Sequence, residues 1–117
     1  MGYATSVSLG SLTIEASSIR LKKVPGSRGQ KIGGRWVVKP LPDRSNQDWR
    51  GTIRGSFSDS NRNTDRDTLQ TMYDNLNEVG LVDGLHDGQY ILLDLEWLDD
   101  FGHPNEHRYV ITIKEEK

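Results

Sequence analysis

The chain contains no cysteine. Disulfide scaffolds, thiolate zinc sites, iron–sulfur clusters and cysteine nucleophiles are therefore all excluded. Apolar material is also scarce: hydrophobic residues make up 33% of the 117 residues and charged residues 27%, which is lean for a globular domain. Such a ratio suits a two-layer β fold with much wet surface, or a subunit that completes its burial against neighbours. No apolar run approaches the ~18–20 residues that span a bilayer, so no membrane partner is expected. The N-terminal MGYATSVSLG has neither the basic start nor the apolar stretch of a cleaved signal. Nor is one sign of charge in large excess. The formal net charge is −2 and the sequence pI about 5.9, which implies no general affinity for nucleic acid or anionic membranes. The length fits one compact domain, residues 1–117, with one core.

Periodicity supplies the elements. Leu12, Ile14, Ile19 and Leu21 fall on alternating positions with a phase break at Ala16-Ser17, so residues 5–24 read as one or two strands, with Gly10-Ser11 as a tight turn or bulge. Residues 25–34, PGSRGQKIGG, read as a loop, and RWVVK from Arg35 as a short strand. Pro40 and Pro42 interrupt the chain beyond that strand, so the irregular stretch extends over about 22–48. In WRGTIRGSF, Trp49, Gly51, Ile53, Gly55 and Phe57 share one strand face, while Arg50, Thr52, Arg54 and Ser56 share the other. Leu69, Met72, Tyr73, Leu76 and Val79 then predict one amphipathic helix over about 64–79, capped by Asn63 or Thr64 and ended by Gly80. QYILLDLEWLDD and HRYVITIK predict a closing antiparallel hairpin, with Ile91, Leu93, Leu95 and Trp97 on one face. The fold class is α+β, mainly antiparallel β: a sandwich or barrel-like sheet with one helix packed on it.

Four groups have chemistry to weigh. His103-Pro104-Asn105-Glu106-His107, with Asp99 and Asp100 upstream, has the ligand types of a metal site. However, Pro104 and the flanking strands deny it the helical spacing that grips zinc, and it reads as a polar hairpin tip. Asp94 and Glu96 lie about 7 Å apart on one strand face. That face reads as the solvent side of the hairpin, with Arg108 and Lys114 as cross-strand partners, ahead of a glycosidase pair. Trp36, Trp49 and Trp97 each have apolar strand neighbours and read as core, not as a sugar platform. The basic, glycine-rich segment holds Lys22, Lys23, Arg28, Lys31 and Arg35, with Lys39 beyond. It lacks the Gly-Lys-Ser/Thr ending of a phosphate loop. Its readings are contact with an acidic face of a neighbouring subunit, plain solvation, or nucleic-acid phosphates. Basic residues dominate 20–66 and acidic ones 78–106, a split that favours head-to-tail or lateral assembly. The interface residues expected are Lys22, Lys23, Arg28, Lys31, Arg35, Asp99 and Asp100. No catalytic residue, metal or cofactor is expected, and the chain reads as a non-enzyme.

The order of these elements resembles the tail-tube fold of contractile and siphophage tails, which recurs in baseplate hub and distal-tail proteins. SVSLGSLTIEASSIRL and the 22–48 stretch take the place of that family's early hairpin and its loop to the adjacent subunit. Trp49-Arg50-Gly51-Thr52-Ile53-Arg54-Gly55 is similar to its W-x-G-x-I-x-G strand before the single helix, and QYILLDLEWL with HRYVITIKEE to its closing hairpin. The resemblance implies a virion tail subunit, assembled in the host cytoplasm. Its partners would be copies of itself and other tail or baseplate proteins, with nucleic acid at most in passage. It also implies a sheet that forms a wall with the helix on its outer face. Tube subunits carry a second substantial hairpin, which 117 residues leave little room for, so a baseplate or adaptor role fits equally well. The alternative reading is a stand-alone carbohydrate- or protein-binding β module.

Overall fold

Residues 5–40, 47–99 and 105–116 are described by a computed structural model of the chain. The strands are β1 (Thr5–Leu9), β2 (Leu12–Pro25), β3 (Ser27–Ile32), β4 (Arg35–Pro40), β5 (Gln47–Phe57), β6 (Val79–Val82), β7 (Gly88–Trp97) and β8 (His107–Glu115). The single described helix, α1 (Arg62–Asp74), follows β5. Six strands close an antiparallel barrel in the order β1-β2-β5-β8-β7-β6, and β3 and β4 form a separate two-stranded hairpin. Closure rests on a short seam: Ser8 opposite Val82 and Leu9 opposite Leu81, extended by the Gly10 N–H bonded to the Gly80 carbonyl at 2.8 Å. A closed barrel removes the open strand edges that a sheet would otherwise expose.

Alternation fills the interior. Val7, Leu9, Leu12, Ile14, Ile53, Phe57, Leu81, Tyr109, Ile111 and Ile113 are buried in one core, each on the inward parity of its strand. The phase break at Ala16-Ser17 is a β-bulge against β5. It shifts the inward set from Leu12, Ile14 and Ala16 to Ile19 and Leu21. A second bulge lies between Leu92 and Asp94. It overturns the strict alternation expected on β7: Tyr90 and Leu92 face the core, and Leu95 and Trp97 return to it after the bulge. Ile91 is buried outside that core cluster.

Three further expectations are corrected. The helix ends at Asp74, with Leu76 in the left-handed region at φ 55°, so Gly80 is not its cap. Val79 and Leu81 belong to β6, where they point into the core on a period of two. The spacing from Leu76 to Val79 fits a helix as well as a strand start, and barrel closure decides between them. Residues 25–34 are not a loop. Ser27 to Ile32 pair residue by residue with Arg35 to Pro40 around Gly33-Gly34. Both glycines have positive φ, 62° and 76°, as the tightest hairpin turns require. Residues 27–40 thus form a hairpin of their own beside the barrel. Lastly, α1 does not lie on an outer sheet face. It touches β2, β5, β7 and β8, and so lies across the barrel end where β5 and β7 finish and β8 begins. Leu69 is its one fully buried side chain, with Met72 and Tyr73 packed beside it.

Candidate assembly surfaces

The β3–β4 hairpin leaves the barrel at the end opposite α1 and seats on the outer wall of β7 and β8. Its anchor is Lys114, whose side chain is fully buried. An outward-facing lysine would ordinarily be solvated, because desolvating an unpaired ammonium is costly. Here the Lys114 Nζ donates to the Ser27 carbonyl at 2.6 Å and to Glu116 Oε1 at 3.2 Å, and pairs with Asp48 Oδ2 at 3.2 Å. Those carboxylates also accept backbone bonds: Ser27 N–H to Asp48 Oδ2 at 3.0 Å and Gly29 N–H to Glu116 Oε2 at 2.8 Å. Alternate N–H groups on the free edge of β3 are therefore satisfied by side chains of the barrel. Gly29 permits the close approach, since a Cβ there would overlap Ile91 and the Glu116 carboxylate. Trp49 N–H donates to Glu115 Oε1 at 3.1 Å and closes the same end.

The basic residues expected at an interface divide into two groups. Arg28, Lys31 and Arg35 ride on the hairpin and are exposed. Arg28 lies directly opposite Lys39, a like-charge cross-strand pair that weakens an isolated hairpin. Ile32, 47% exposed, is at the tip. Lys22 and Lys23 are on the far part of β2, where the Lys23 Nζ sits 4.6 Å from the Trp49 ring centroid. Asp99 is engaged within the chain: both its oxygens take Arg66 guanidinium bonds, at 2.8 and 3.2 Å. Arg66 holds the Asp99 carboxyl below its ordinary range. Asp100 and the His103-Pro104 part of the candidate metal group lie outside the described residues. His107 is bonded to Asn63 Oδ1 at 2.7 Å and to the Arg66 guanidinium at 3.0 Å. A guanidinium can only donate, so Nδ1 accepts and Nε2 carries the proton. Among the described residues no cluster of His, Asp and Glu is placed to hold a metal ion.

The tryptophans are half-buried: Trp49 and Trp97 pack against the core from its margin, and Trp36, on the hairpin, does not reach it. Each has a cation near its ring: Lys23 at Trp49, Lys31 at Trp36 (5.4 Å) and Arg66 at Trp97 (4.5 Å). Arg108 and Lys114 are not the neighbours of the β7 acids. Asp94 faces Thr112 and Glu96 faces Val110, because the bulge moves the register and Lys114 is drawn under the hairpin. The surface that sequence reasoning missed is the outer wall of β2 and β5, where Arg20, Lys22, Arg50 and Arg54 are all exposed. Its signal was the solvent-side parity of Arg50 and Arg54, which becomes a patch only when β2 is registered beside β5.

The β6–β7 turn is braced by its acids. Asp83 takes the Leu85 and His86 N–H groups and the His86 ring, the last at 2.6 Å. Asp87 takes the Asp83 and Gly84 N–H groups at 2.9 Å. Burial alone would raise the Asp83 carboxyl, but the bonds from the His86 ring and from the His86 and Leu85 backbone outweigh it and leave it below its ordinary range. The His86 ring meets Trp49 edge-on, centroids 4.5 Å apart.

No family model matches the chain, and no curated protein does. Among solved structures, the chain is similar to one from the tail of an empty GTA particle of C6 symmetry. The sequences are 14% identical, the TM-score is 0.42, and the match covers 99% of this chain and 79% of that one.

This geometry has two testable consequences. Lys114→Ala leaves Asp48 and Glu116 buried without their cation and is expected to cost about 3–5 kcal/mol in urea unfolding. A loss under ~1 kcal/mol contradicts the anchor. Asp83, with its folded pKa lowered, contributes stability that is fully present above its unfolded value of about 3.9 and is lost as pH falls through the lower folded value. The stability difference between the native chain and Asp83→Asn, from thermal unfolding, is therefore expected to shrink as the pH falls through the acid range below about 4.

Proposed function

We propose that the protein is a non-catalytic structural subunit of a phage-type tail or baseplate, placed in the virion and built into rings or stacks with copies of itself and other tail proteins. The observation that carries this reading is the anchored, basic β3–β4 hairpin. It is pinned to the barrel through buried charges, yet it presents Arg28, Arg35 and Lys39 with no acid opposite them. A pre-ordered arm loses little conformational entropy on docking, and its unbalanced charge calls for an acidic partner. The element order that resembles tail-tube proteins, now with a second hairpin in place, supports the same reading. Against a sugar-binding module stand the cations beside all three indole rings, where a sugar would have to stack.

The barrel leaves assembly to surfaces more than to edges. Its six strands close on themselves, so the hairpin and the outer walls are what a neighbour meets. Light scattering across a concentration series is expected to show rings or larger species at low salt that weaken at moderate salt. Arg28→Glu with Arg35→Glu is expected to weaken assembly about tenfold or more while leaving the unfolding transition in place. Deleting the hairpin is a poorer probe, because it strips Ser27 and Gly29 from Lys114 and Glu116. A monomer indifferent to salt and concentration contradicts the proposal.

A further inference from the structure

Two walls of the barrel carry charge of opposite sign, and none of these charges has its opposite directly across the strand pair. On β2 and β5, Lys22 lies directly opposite Arg50, Arg20 opposite Thr52 and Arg54 opposite Ser18. On its other side Arg50 faces Lys114, which is committed beneath the hairpin, and Arg54 faces Val110. Arg20, Lys22, Arg50 and Arg54 are all exposed. Ser18, Arg20, Thr52 and Arg54 line one shallow groove, whose side chains are all hydrogen-bond donors, with no carboxylate among them. On β7, Asp94 and Glu96 are exposed and face only Thr112 and Val110. Between the walls runs β8 alone. None of the ion pairs among the described residues involves any of these six side chains.

Cations set opposite one another cost a sheet stability. A chain with net charge −2 has acids enough to pair with them, yet no acid stands directly opposite any of the four cations. We infer that the β2–β5 wall binds the β7 wall of a second copy. This deepens the assembly reading and rests on it. The acids on β7 are two residues apart on one outward face, about 7 Å by strand rise, and so are Arg20 and Lys22 on β2. Two strands laid side by side on their outer faces bring the pairs together. The two patches are different surfaces of one molecule, so the contact is heterologous: each copy offers its basic wall to one neighbour and its acidic wall to the next, which generates a ring or an open filament. A free polyanion is the less favoured occupant, because the β7 acids stand one strand away from the cations and would repel it.

The test uses two reversed chains. Arg20→Glu, Arg50→Glu and Arg54→Glu make both walls acidic, while Asp94→Lys and Glu96→Lys make both walls basic. By sedimentation velocity at low salt, each reversed chain alone is expected to lose at least about tenfold in self-association. A 1:1 mixture of the two is expected to co-assemble, and that recovery also shows that both chains fold. If the native chain assembles and the reversed chains assemble equally well alone, the wall pairing is overturned while the assembly reading stands. If the native chain remains monomeric throughout, the assembly reading falls and the pairing falls with it. If native mass is unaffected by the reversals but binding of a single-stranded oligonucleotide is lost with the acidic-wall chain, the basic wall serves nucleic acid and the inference is overturned.

Discussion

The buried ammonium of Lys114 holds the molecule's two parts together. Six strands close a barrel on aliphatic and aromatic packing, and a separate hairpin could have been an independent flap. Instead, one lysine on the outer face of β8 is enclosed by the hairpin's Ser27 carbonyl and by Asp48 and Glu116. Those two carboxylates in turn take the Ser27 and Gly29 amides. The arrangement is cooperative in the plain sense that no member can be withdrawn without stranding another in a desolvated place. Burying ions adds little net stability compared with apolar packing. What it contributes here is a defined seat: a hydrogen-bonded ion network fixes where the hairpin sits, which nonspecific apolar contact would not.

That seat determines which surfaces stay exposed. With the hairpin drawn over part of β7 and β8, Lys114 and Ile91 are covered, while the basic β2–β5 wall and the acidic stripe of β7 stay open to solvent. Closure of the barrel has a parallel consequence. Strand edges, the usual means of joining β proteins, are mostly used up internally, so the proposed association falls to side chains on the outer walls and to the arm. At the other end α1 spans the barrel with Leu69 in the core, while Arg66 ties it to Asp99 and to His107 at the root of the closing hairpin.

Much of this fold was legible in the sequence, and the failures have physical causes. The strands with one clean apolar face, β2, β5 and β8, read correctly because a half-buried strand imposes a period of two. The bulge at Ala16-Ser17 was visible as a break in that period. The second bulge was not, because QYILLDLEW is apolar on both faces for four residues and alternation there has no unique phase. The β3–β4 hairpin was missed because SRGQKI has low strand propensity and no apolar face. Its strand character comes from pairing around Gly33-Gly34 and from partners more than 80 residues away in the chain, although the Gly-Gly dipeptide between KI and RW was a turn signal. Of the expected interface residues, the hairpin cations are exposed as a contact surface would need, whereas Asp99 is occupied by Arg66. The basic wall requires Arg20 and Lys22 to stand beside Arg50 and Arg54, a register that only the fold supplies.

The claim on which the rest depends is that the hairpin is a fixed part of the barrel. Amide hydrogen exchange at Ser27 and Gly29 reads this directly. If the carboxylates of Asp48 and Glu116 hold those amides, both exchange as slowly as the β5–β8 core and only through global opening. Exchange at the rate of an open loop, while Ile53 and Ile111 stay protected, would show the arm to be loose and would contradict the account.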